Sequence, residues 1–223
     1  MTEYSRSNPS PRYLELIGYY REMHADEGGK EKAPGAEMFA GLMVHRHAES
    51  IRGIIDVLGS ETILDYGAGK GHQYRPFRIS GPDGKNYPDI KSFWGVKSIT
   101  CYDPSFSTFE SLPKKRFDGV VSTDVLEHCP REDLPWIIEE IFTFAEEFVY
   151  LNVACYPAMK TLPNGENAHC TVEQPEWWLP MFNGAVAANP GLRYFAAFDF
   201  VEKGPDGQDR GVTRRTLGES KPG

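Results

Sequence analysis

The sequence predicts an α/β protein: one doubly wound, mostly parallel sheet with helices on both faces and an antiparallel hairpin at the C-terminal end. Three observations carry this. Short apolar or β-branched runs at 98–102, 117–123 and 148–154 follow a first buried run ending at Asp65, and helical patterns lie around and between them. That first run passes directly into Gly67, Ala68, Gly69, Lys70 and Gly71, three glycines at alternate positions. The next strand ends in an acid, Asp103, at the crevice where open sheets bind ligands.

In chain order, Tyr13, Leu16, Ile17, Tyr20 and Met23 recur at helical spacing over residues 10–24, with Pro11 suited to the first turn. Residues 25–35 are polar and glycine-rich and read as a loop. A second helix is expected over 40–58, with Ile51, Ile54, Ile55 and Leu58 on one face and Gly59 and Ser60 ending it. After Gly71 only a short helix fits, because Pro76 comes early; residues 80–95, with Gly81, Pro82, Asp83 and Gly84, read as an inserted loop. A helix over about 131–147 leads into the strand at 148–154. The chain then loops through Pro157, Asn164 and Gly165 to a helix near 176–188. Strands at 192–201 and 211–217 flank Gly204-Pro205-Asp206-Gly207 as a terminal hairpin. The expected organisation is an N-terminal helical lid segment at 1–40, a ligand-binding domain at 41–217 and a frayed tail at 218–223.

Composition narrows the function. A chain of 223 residues with 40% hydrophobic and 25% charged residues suits one globular domain. Its net charge of −8 argues against a broad nucleic-acid footprint. No apolar run approaches the ~20 residues needed to cross a bilayer, and the N-terminus lacks an apolar signal core, so a cytoplasmic location without a membrane partner is expected. Cys101, Cys129, Cys155 and Cys170 are far apart and read as buried thiols rather than zinc ligands. His45 and His47 are two apart on a helix and do not face each other. No metal site is expected.

The glycine stretch excludes two nucleotide motifs. Gly69-Lys70-Gly71 lacks the P-loop hydroxyl, and a single residue between the second and third glycines is too few for the dinucleotide fingerprint. Ile63, Leu64, Asp65, Gly67, Gly69 and Gly71 instead resemble the first motif of class I (Rossmann-like) S-adenosylmethionine (SAM) dependent methyltransferases. The resemblance implies that turn amides around Ala68 grip the amino-acid end of SAM. It implies that Asp103, followed by Pro104, binds the ribose hydroxyls. Asp103 lies 34 positions after Gly69, against roughly 20 in folds of this kind; the 80–95 insertion accounts for the difference. The segment from Phe117 to Pro130, containing Asp124-Val125-Leu126-Glu127-His128, resembles the fourth-strand segment of small-molecule methyltransferases. By that resemblance Asp124 faces the methionine portion, and Val125 and Leu126 flank the adenine. One element of the family's sheet is missing: thirteen residues between Asp103 and Phe117 are too few for a helix, a third strand and a return. The third strand is therefore reduced or absent, which exposes an edge that the 80–95 loop would cover.

Methyl transfer by direct displacement, with S-adenosylhomocysteine as product, is the activity implied. The Asn/Asp-Pro-Pro segment of base aminomethylation is absent, and Cys129-Pro130 reverses the order needed at cytosine carbon, so a small-molecule acceptor is favoured. Candidate acceptor contacts are Tyr20 and His24 on the first helix, Tyr74 and Arg75 after the glycine turn, His128, and Tyr156. His169, before the last helix, is the candidate proton acceptor. The alternative is a SAM- or product-binding regulatory or assembly protein of the same fold; a monomer or a homodimer is open to either.

Overall fold

The computed structural model describes residues 4–25, 43–203 and 209–219. Strands β1 (Thr62–Tyr66), β4 (Ser98–Tyr102), β5 (Phe117–Thr123), β6 (Ala145–Ala154), β7 (Arg193–Lys203) and β8 (Asp209–Glu219) form one sheet in the order β4-β1-β5-β6-β7-β8. The first five run parallel and β8 is antiparallel to β7. A third strand beside β4 is absent among the described residues, as the short 104–116 segment requires.

Helices cover both faces because strand residues alternate between them. Ile63, Val121 and Tyr150 pack with helices α2 (Met43–Leu58) and α3 (Ile90–Trp94). Leu64, Val120 and Leu151 point the other way, onto α4 (Leu134–Thr143) and α5 (Pro175–Ala187). The first helix, α1 (Pro11–Ala25), buries Leu16, Tyr20 and Met23 against Leu162 and Ala168 of the segment after β6.

Two sequence expectations are corrected. The 80–95 stretch is not a loop: β2 (Ile79–Ser80) and β3 (Asn86–Tyr87) pair as a small hairpin, and α3 follows. Asp89 caps α3 by accepting from Ser92 N–H at 2.7 Å, and Gly95 ends it with φ 69°. Trp94 Nε1 donates to the Ala48 carbonyl at 2.9 Å, so the insertion docks on α2, while Ser98 to Cys101 of the edge strand β4 stay half-buried. The helix expected over 131–147 stops at Thr143, and β6 begins at Ala145, opposite Phe117. Arg116 Nε donates to the Thr143 carbonyl at 3.1 Å, satisfying an acceptor that the ended helix leaves open. The start of the 40–58 helix, the 25–35 loop beyond Ala25, and the 218–223 tail past Glu219 lie outside the described residues.

Candidate active site

A cavity of about 690 Å³ opens where the carboxyl ends of β1, β4 and β5 meet α1 and the segment after β6. Its wall includes Gly67, Gly69, Asp103, Pro104, Asp124 and Val125 of the expected cofactor set. Tyr20, His24, His128, Tyr156 and His169 join them from three separate segments.

The glycine turn is built by hooking onto the neighbouring strand. Gly67 and Ala68 N–H both donate to the Tyr102 carbonyl (2.8 and 3.0 Å), Gly69 N–H donates to Asp103 Oδ2 (2.8 Å), and Gly71 N–H donates to the Ala68 carbonyl (3.1 Å). The sequence reading had these amides open toward a ligand; the fold uses them internally, because β4 is in register beside β1. Gly67 has φ 84°, and a Cβ there would lie 2.4 Å from a Val125 methyl carbon. Glycine is thus required by handedness and by space.

Asp65 is not in the cavity wall. Its buried carboxylate lies under the turn and accepts from Gln73 Nε2 and Tyr74 Oη, both at 2.8 Å. Burial lifts its carboxyl to about 6 despite those two bonds. Tyr74 is therefore a support for Asp65 rather than a substrate contact. Arg75 is exposed and away from the cavity, Leu126 is buried in the core, and Ala68 and Gly71 stand behind the wall.

Asp103 holds the turn as well as facing the cavity. Oδ2 accepts from Gly69 N–H, and Oδ1 accepts from Ser105 N–H (2.8 Å) and Ser105 Oγ (2.6 Å). A carboxylate has about four lone-pair positions, so one remains on Oδ2. A two-point grip on a vicinal diol requires one hydroxyl to replace Ser105 Oγ.

Asp124, at the end of β5, has φ 61°, the one positive value among described non-glycine residues. This is the left-handed region, which Asp enters more readily than most residues other than glycine. Two histidines stand near it. His169 Nδ1 is 2.6 Å from the Tyr156 carbonyl oxygen, so the proton is on Nδ1 and the lone pair on Nε2, which is 4.0 Å from Asp124 Oδ1. His128 Nδ1 lies 3.0 Å from the Ala168 carbonyl and 2.9 Å from Tyr20 Oη. A carbonyl cannot donate, so this Nδ1 also carries the proton. Burial, with His169 beside it, pushes His128 down to about 4, against the pull of Asp124. Asn167 fixes the His169 segment: its Oδ1 accepts from Ala158 and His169 N–H, each at 2.9 Å.

The sequence reading missed Arg46 and Met43 on α2 and Met159 and Lys160 after β6, all in the wall. No local pattern marks them. Met159 and Lys160 lie between the candidates Tyr156 and His169; burial lowers the Lys160 pKa while Asp124 raises it. The four cysteines are free thiols, and burial pushes Cys129 well above its ordinary range, so it is no nucleophile at neutral pH.

Among known families, the model described as "Methyltransferase domain" matches residues 30–195 of the chain. No curated protein matches it.

Proposed function

The chain belongs to the methyltransferase domain family, and from that premise we propose that it moves a methyl group from SAM to a small-molecule acceptor by in-line displacement. The observation that carries the reading is the charge layout of the 690 Å³ cavity, a volume within the usual range for small-molecule sites. Asp103 on one wall suits the sugar hydroxyls of SAM, and Arg46 and Lys160 can meet its carboxylate. Val125 and the α1 side chains Leu16 and Ile17 supply apolar surface for a base and an acceptor.

Bound SAM supplies an intrinsically electrophilic methyl carbon. The chain has to align the acceptor and keep water out. Helix α1 closes the cavity with Tyr13, Leu16 and Tyr20. An acceptor that arrives protonated meets the Nε2 lone pair of His169 beside Asp124.

With net charge −8, four free cysteines and no described helix long and apolar enough to cross a membrane, we place the protein in the cytoplasm, acting on small molecules rather than nucleic acid. Calorimetry with SAM and with S-adenosylhomocysteine tests the donor: micromolar binding is expected, weakened about 10- to 100-fold in Asp103→Ala through loss of charge-assisted hydrogen bonds. Equal binding by the variant sinks the assignment. Transfer of labelled methyl to a pool of hydroxyl and amine acceptors separates an enzyme from a protein that only holds the nucleoside.

A further inference from the structure

We infer that Asp124, His128 and His169 form a binding site for a divalent transition-metal ion of the zinc type on the wall of the same cavity. The inference deepens the methyl-transfer reading: it adds an ion where the acceptor is expected. One ligand atom from each of the three residues lies within 4.8 Å of the others. Two imidazoles and one carboxylate with an open position is a ligand set of catalytic zinc sites. Ligands about 2.0–2.1 Å from a tetrahedral ion stand ~3.3 Å apart, so the cluster has to tighten by roughly 1.5 Å at most.

Proximity alone does not make a metal site; the orientation of the rings does. A ligating histidine almost always gives its other N–H to a carbonyl or carboxylate, which fixes tautomer and direction. Both histidines meet that condition here. His169 Nδ1–H is held by the Tyr156 carbonyl at 2.6 Å, and His128 Nδ1–H by the Ala168 carbonyl at 3.0 Å. For His169 this leaves Nε2, 4.0 Å from Asp124 Oδ1, as the ligating nitrogen. Glu127, next in the chain to His128, is fully buried, and its Oε1 accepts from Ala154 N–H at 2.6 Å. The open position would take a water or an oxygen of the acceptor, lowering the pKa of the oxygen that is to be methylated. In that arrangement the His169 lone pair is a ligand rather than a free base.

The test uses the full chain without a histidine tag, stripped of metal. Titration with zinc by calorimetry, and with cobalt followed by visible absorption, is expected to show one ion per chain. His128→Gln, His169→Gln and Asp124→Asn should each weaken it at least tenfold, with unfolding midpoints confirming that the variants fold. Replacing all four cysteines by serine should leave the affinity unchanged. Absence of binding below about 100 μM zinc overturns the site, as does equal affinity in all three variants or loss in the serine variant alone. SAM is titrated into the metal-free protein in parallel. Zinc binding without SAM binding upholds the site and defeats the donor assignment; SAM binding without zinc does the reverse.

Discussion

At Gly67 two constraints coincide, a φ of 84° and a Val125 methyl carbon 2.4 Å from where a Cβ would be. Gly67→Ala is expected to cost about 3 kcal/mol or more, adding backbone strain to overpacking, as read by urea unfolding. Adding Val125→Ala should recover the packing part only; full recovery would mean that the backbone is not strained. Asp65 makes a pH prediction. Its folded-state pKa, about 6, lies above the ordinary value, so the folded form holds this proton more tightly than the unfolded chain. Stability from this group therefore falls as pH rises from about 4 through about 6, by about 3 kcal/mol at most. The neighbouring Asp103 charge works in the same direction, and the bonds from Gln73 and Tyr74 oppose it. Asp65→Asn should gain on the parent across that window, and parallel stability curves for the two proteins would exclude the effect.

At the scale of elements, α1 is held in place at three points. Ser10 caps it, with Oγ accepting from Tyr13 N–H at 3.0 Å, while Ser10 N–H donates to the buried Asp133 at the start of α4 (3.0 Å). Midway, Tyr20 Oη donates to the Ala168 carbonyl at 2.9 Å, and further on Arg21 reaches the Pro104 carbonyl at 3.1 Å. Ser10→Ala removes the cap and one partner of Asp133, at an expected cost of about 1–3 kcal/mol. Hydrogen exchange should show this loss concentrated in α1, with weaker SAM binding because that helix walls the cavity; uniform exchange across the chain would show that α1 does not open by itself. The elements misread from sequence have physical reasons too. Ala145-Glu146-Glu147 suits a helix by local preference, and pairing of Ala145 with Phe117 overrides it. The inserted α3 is five residues long, below the length at which apolar periodicity is legible, although Asp89 and Gly95 are the right residues for its two ends.

For the whole molecule, ligand and fold are coupled because the cavity joins the sheet, α1 and the segment after β6. Saturation with S-adenosylhomocysteine at about 100 times its Kd should add about 2.7 kcal/mol. For a chain of this size that raises the melting temperature by about 5–10 °C, measured by calorimetry; no shift would show that the nucleoside is not held by the folded state.

Most strands of the main sheet, the glycine turn and the acids at the ends of β1, β4 and β5 were legible in the sequence, because each depends on a few adjacent residues. A left-handed backbone needs glycine, a buried strand needs an apolar run, and thirteen residues cannot house a helix and a strand. Tertiary structure alone decided what those residues face. It consumed the turn amides by setting β4 in register with β1, turned Tyr74 toward Asp65, and left Arg75 at the surface. It also brought His169 across 41 positions to His128 and Asp124. Such meetings follow from the packing of distant segments against one sheet, and local pattern carries no record of them.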